Sequence, residues 1–153
     1  MPGSSSTVLH ALVPYSNTAL ARELGAAPSR AVSFEVGAGL AKNALNAARP
    51  LVAAEARFDG VALGIGCTAK LDVGVGSAFL SFHTPAVQCT LRFSKGDLVP
   101  PSPDRPESQC AGVESLLTLP FKPIKGTRAE QEQALSFNII LALHQFSYDY
   151  FAL

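Results

Sequence analysis

Between residues 77 and 93 the chain twice alternates apolar with polar residues, and Thr84 and Pro85 stand between the two runs. In the second run Val87, Cys89, Leu91 and Phe93 fall on one side, against Gln88, Thr90 and Arg92 on the other. In the first, Ala78, Leu80 and Phe82 oppose Ser77, Ser81 and His83, and Phe79 breaks the alternation. Successive strand residues point to opposite faces, so a period of two signals strands. A proline-marked turn between two such runs predicts an antiparallel pair. Residues 60–66 form a continuous apolar run that ends in glycines. That is the pattern of a central strand buried on both faces.

The rest of the chain reads mostly as helix and loop. Residues 7–13 are a short apolar run closed by Pro14, predicted as a strand. Ser16 or Asn17 can cap a short helix that stops at Gly25. A longer helix is predicted over residues 33–48, where Phe34, Ala38, Ala41, Leu45 and Ala48 share one face. Gly37 and Gly39 lower its propensity, and close approach to a sheet is the use expected of them. Pro50 should end this helix and start another turn, to about residue 58. The proline-rich stretch 97–109 is expected to be an exposed loop, and residues 114–121 one more strand. Thr127 and Glu130 form a capping box for a long final helix, to about Tyr150. Its middle, residues 134–143, is apolar on more than one face, which calls for burial on two sides or a partner subunit. The order β-α-α-β-β-β-(β)-α predicts a layered α/β sandwich, and 153 residues suit one domain.

Composition narrows the function classes. Hydrophobic residues make up 48% of the chain and charged residues 16%, enough apolar material for a core. Twelve basic side chains balance twelve acidic ones, so charge points neither to nucleic acid nor to a membrane surface. Cys67, Cys89 and Cys110 are odd in number and show no Cys-x-x-Cys spacing. That argues against a disulfide framework and against a zinc site, and favours a reducing compartment. No apolar run approaches the roughly 20 residues of a membrane span, and no secretory leader is recognisable. The expected location is the cytoplasm, with no metal and no cofactor.

Two segments carry candidate chemistry. Tyr15, Ser16 and Asn17 follow a predicted strand and open a helix. They read either as a helix cap or as a site for a phosphate or amide at a helix N-terminus. Residues 64–70, Gly-Ile-Gly-Cys-Thr-Ala-Lys, follow the predicted central strand, where α/β sheets bind ligands. Gly64 and Gly66 would let a ligand approach the backbone, Thr68 offers a hydroxyl and Lys70 a charge; the competing reading is a tight turn. Cys67 is read as an ordinary half-buried thiol, since spacing places none of His10, His83 and His144 beside it. Arg128 opens the last helix, either as a phosphate contact or as a solvated side chain.

The run Val13-Pro-Tyr-Ser-Asn-Thr-Ala-Leu20 resembles the strand-to-helix turn of the CinA (competence/damage-inducible) C-terminal domain family, whose usual form is roughly Val-Thr-Tyr-Ser-Asn-x-x-Lys. Gly64-Ile65-Gly66, two following strands and a closing helix opened by Gly126-Thr127-Arg128 come in the matching order. Val13 to Ser16 and Gly64 to Thr68 look closest to a eukaryotic branch of that family. The resemblance runs from about residue 7 to residue 146. It implies an α/β/α sandwich with a mixed sheet. It also implies a pyridine-nucleotide amidase, which converts nicotinamide mononucleotide to nicotinate mononucleotide and ammonia. Tyr15 stands at the family's tyrosine position. Leu20 stands where the family has a lysine, and the family's serine motif, Glu-Ser-Cys-Thr-Gly-Gly, has no counterpart. Ser4, Ser5 and Ser6 do not align with it. The chain begins where the family's second strand would begin, so the fold's first strand and helix are expected to be missing. The exposed sheet edge is then expected to be covered in a homo-oligomer. The implied function is a catalytically degenerate relative of nicotinamide-nucleotide amidohydrolases that retains pyridine-nucleotide binding. The competing functions are an active amidohydrolase using Cys67 or a local serine, with Tyr15 or Lys70 assisting, and a non-catalytic interaction domain.

Overall fold

The computed structural model describes residues 10–14, 16–54, 61–102 and 110–151. Its centre is the predicted hairpin. Strand β3 (Ser77–His83) pairs antiparallel with β4 (Gln88–Ser94), with Leu80 opposite Leu91 and Phe82 opposite Cys89. Thr84 closes the turn, because its N–H and its hydroxyl both reach Val87. On the outer side of β3 lies β1 (Gly64–Lys70), antiparallel, with Cys67 opposite Leu80. The two-residue strand β5 (Asp97–Leu98) ends the order β1-β3-β4-β5. A second, two-stranded sheet joins β2 (Gly74–Val75) to β6 (Lys125–Gly126).

Both faces of β3 are buried, and each is covered by a different part of the chain. Helix α2 (Phe34–Ala54) lies on one face. A Cβ added to Gly37 would meet Phe79 Cβ at 3.2 Å and Ser81 Oγ at 3.1 Å. Under α2 the hydroxyls of Ser81 and Thr90 bond each other at 2.9 Å, so two buried polar groups are satisfied at once. The opposite face, Ala78, Leu80, Phe82, Leu91 and Phe93, packs with Leu116, Ile124 and the long helix α3 (Arg128–Phe151). Phe82 stacks on Phe146 at 5.1 Å between ring centres. The protein is therefore mixed α/β, with three α-helices, an antiparallel four-stranded sheet and a small second sheet among the described residues.

Helix ends follow the local chemistry. Ser16 caps α1 (Asn17–Leu24) by accepting from the Ala19 N–H at 3.0 Å, and Gly25 closes it in the left-handed region at φ 78°. Ser33 accepts from the Val36 N–H at 3.3 Å at the start of α2. The capping box at α3 is formed: Glu130 takes the Thr127 N–H at 2.6 Å, and Thr127 takes the Glu130 N–H at 3.3 Å. The bond from the Thr127 N–H, and after it the Thr127 side chain, hold the Glu130 carboxyl below the usual carboxylate range.

Several expectations give way. Helix α2 runs through Pro50 to Ala54 without a break. Proline costs one helical hydrogen bond there, and Ala48 on the buried face holds the turn before it. The face of α2 that is buried is Val36, Gly37, Ala41, Leu45 and Ala48, so Phe34 and Ala38 stand only half-buried beside it. Among the described residues the apolar run ending at Gly66 does not form a central strand. Residues 61–63 are irregular, and β1 lies at the end of the described sheet order. Its apolar character comes from the helix across it, not from strands on both sides. The pairings are all antiparallel among the described residues, so the mixed sheet is not seen. Residues 114–118 form a 3-10 helix with Leu116 buried, in place of the expected strand. Residues 10–14 are irregular rather than extended in a sheet, and residues 7–9 of that predicted strand lie outside the described residues. The stretch 97–109 opens with β5, and residues 103–109 lie outside the description. So do residues 55–60, where the turn after Pro50 was expected, and Ser4, Ser5 and Ser6.

Cys89 and Cys110 are joined by a disulfide, contrary to the cysteine count. The segment before the 3-10 helix folds back over β4, and the two sulfurs meet in the core, 21 residues apart in sequence. Disulfides persist in oxidising surroundings. The bond therefore withdraws the ground on which a reducing compartment was expected. Among the described residues no helix is long and apolar enough to cross a membrane.

Candidate functional site

The glycines of β1 are used by the fold. A Cβ on Gly66 would collide with the Gly37 carbonyl and the Ala41 N–H, and one on Gly64 with the Ala41 carbonyl. Helix α2 thus lies directly on the strand, and the close approach foreseen for a ligand is made by a helix. Because Gly64 and Gly66 face α2, Ile65 and Cys67 point to the other side of the sheet.

A cavity of about 400 Å³ wraps this edge. Residues 10–14 and Glu23 of α1 line it, with Leu40 and Ala44 of α2, Ile65, Gly66 and Cys67 of β1, and Ile139 of α3. It brings together two stretches that the sequence singled out separately, the turn at Val13 and Pro14 and the strand at Gly66 and Cys67. Asn43 holds the end of α1 in place by donating to the Glu23 carbonyl at 2.6 Å. Leu20 is buried in α1.

The chemistry available in the cavity is limited. Burial pushes the Cys67 thiol up to about 11, so it stays protonated at neutral pH. His10 lines the same cavity, a proximity that sequence spacing gave no sign of. No hydrogen bond joins it to the thiol among the described residues. Among the described residues the cavity thus shows no nucleophile hydrogen-bonded to a base.

The other candidate residues are occupied elsewhere. Ser16 Oγ is committed to the helix cap, and Asn17 is the exposed first residue of α1. Tyr15 lies outside the described residues. The Thr68 hydroxyl donates to the Ala31 carbonyl at 2.6 Å and so ties β1 to the loop between α1 and α2. Lys70 is exposed and pairs with Asp72 at 3.0 Å. That contact, with the Val73 N–H, holds the Asp72 carboxyl below its usual range. Arg128 is exposed and pairs with Glu132 at 3.0 Å in the first turn of α3. It lies about 16 Å along that helix from Ile139, at 1.5 Å per residue. Neither cation is brought to the cavity.

A second hollow of about 330 Å³ lies at the start of α3, with Lys122, Lys125 and Glu130 among its walls. Lys122 is turned over the Phe137 ring at 4.3 Å. Two buried side chains nearby were not singled out by sequence. Asn138 clasps the Lys122 backbone, donating to its carbonyl and accepting from its N–H, each at 2.8 Å. Gln131 donates to the carbonyls of Asp72 and Gly126, which fixes the small sheet to α3. Asn138 had a signal, an amide inside the apolar run 134–143, where burial demands a partner; Gln131 stands in the polar run 128–133 and had none. No group of three or more His, Cys, Asp and Glu side chains is placed to hold a metal ion among the described residues.

Comparison with known proteins returns no matching family model, no matching curated protein and no matching solved structure.

Proposed function

We propose that this chain is a catalytically degenerate, ligand-binding relative of the CinA C-terminal domain family, with its binding site in the cavity beside β1. The observation that carries this reading is the cavity itself. It joins the Val13-Pro14 turn to Gly66 and Cys67, the two stretches on which the resemblance rests, and its one thiol is held protonated. The buried Leu20 supports the loss of chemistry, because an apolar side chain can neither take nor give a proton. Packing of α2 and α3 on opposite faces of the sheet supports an α/β/α layering of that family's kind. The ligand class implied is a pyridine nucleotide. Calorimetric titration with nicotinamide mononucleotide, with ammonia assayed in the same sample, tests the reading. Heat of binding without ammonia is expected. Ammonia release would overturn the degenerate assignment in favour of an amidohydrolase built on Cys67. Neither heat nor ammonia would leave the interaction domain as the better reading.

A second reading has its own observation. Strand β1 is seven residues long, uncharged up to Lys70, and has no partner on its outer edge among the described residues. Edge strands left to solvent are usually shortened or charged. A second copy of the chain pairing on β1 would cover that edge, and Ile140 and Phe137, exposed on α3, could extend the contact. A strand docked there would fill the space beside Ile65 and Cys67, so this reading competes with a ligand. Light scattering at micromolar concentration decides it: a dimer is expected if β1 pairs, and a clean monomer rules it out.

A further inference from the structure

The charges around the β1 cavity restrict what can enter it, an argument that rests on the reading of that cavity as a ligand site. Its volume of about 400 Å³ is that of a small-molecule site. Leu12, Val13, Leu40, Ile65 and Ile139 make most of its wall apolar. Among the described residues, the ionisable ones in the lining are Glu23, His10 and Cys67, and none is a lysine or an arginine. Cys67 is a neutral thiol, and Glu23 is the one carboxylate-bearing residue among them. Glu23 also sits in the last turn of α1, next to Leu24 and the Gly25 cap, at the negative end of the helix dipole. Its neighbour Arg22 is exposed and is not part of the lining. The Asn43 bond to the Glu23 carbonyl keeps this helix end at the rim.

We infer that the cavity accepts a small, largely apolar, singly charged cation and rejects anions. An anion would leave water for an apolar space with a carboxylate beside it and no cation to pair with, which costs free energy twice. A cation gains from the same carboxylate and helix end. In a pyridine nucleotide the ring end fits this description, since its quaternary nitrogen is positive. The phosphate would stay outside, in solvent.

The test uses the full chain and three probes of one shape: benzylammonium, benzyl alcohol and benzoate, titrated at neutral pH and low salt. Binding is read from the backbone resonances of Cys67 and Ile139. Benzylammonium is expected to bind at least roughly tenfold more tightly than benzoate, about the effect of one charge contact. Glu23→Gln should reduce that ratio towards one. Ala44→Phe, which fills the cavity from α2, should weaken both the cation and the alcohol. Preferred binding of benzoate would overturn the charge selection and leave the cavity as a site. A cation preference that survives Glu23→Gln would overturn the stated cause. Failure of all three probes to perturb Cys67 or Ile139 would overturn this inference and the ligand-site reading together.

Discussion

At the residue scale, the two glycines of β1 and the thiol that follows them decide most of what this edge can do. Gly66 touches α2 through backbone atoms that cannot swing aside, whereas Gly112 needs only its positive φ of 85° and has open space around it. Gly66→Ala should therefore cost about 3 kcal/mol or prevent folding, more than overpacking against a flexible side chain would. Gly112→Ala should cost about 1–2 kcal/mol, the strain of a left-handed backbone. Chemical denaturation of both variants checks the order, and equal losses would contradict the packing described. Cys67 offers a second check. With its thiol pushed up to about 11, alkylation by iodoacetamide at neutral pH should run roughly a hundredfold slower than that of an exposed cysteine. Rapid alkylation of native protein would mean that the thiol is activated and would reopen the catalytic reading. The glycines were legible in sequence as close-approach positions. Which partner approached was not, because a helix and a ligand ask the same of a glycine.

At the element scale, local signals were read well where one or two hydrogen bonds decide the outcome. Ser16 and Gly25 bound α1, and Thr127 and Glu130 start α3, as their side chains require. Thr127→Ala should cost about 1 kcal/mol, measured by the thermal midpoint. No change would mean that the capping box is idle. Signals that tertiary packing can override were read less well. Pro50 reads as a helix end, yet α2 continues to Ala54, with Ala48 the last residue of its buried face. Residues 61–66 read as a central strand because a run buried by a helix and a run buried by two strand neighbours are equally apolar. In residues 114–121 the apolar positions are Leu116, Leu117, Leu119 and Phe121, and nothing in their period separates a 3-10 helix from a strand.

At the scale of the whole molecule, long-range contacts are what the sequence leaves hidden. The cavity is assembled from residues 10–14, both α1 and α2, β1 and α3, which no linear spacing brings together. The pairing of Cys89 with Cys110 is of the same kind. It closes a loop of about 20 residues, for which the chain-entropy account gives about 3 kcal/mol. Cys110→Ala should lose a stability of that order in denaturant, and dithiothreitol should move the wild type to the same midpoint. If reductant leaves the wild type unchanged in the unfolded-to-folded titration, the two sulfurs are not bonded in solution.

The central claim is a ligand site without catalysis beside β1, and a site-resolved titration with nicotinamide mononucleotide tests it most directly. Resonances of Cys67 and Ile139 should shift in a saturable way, those of Lys70 and Arg128 should not, and ammonia should stay at the level of the buffer. Ammonia formed in proportion to protein, or saturable shifts centred on Arg128 with Cys67 unmoved, would contradict the account.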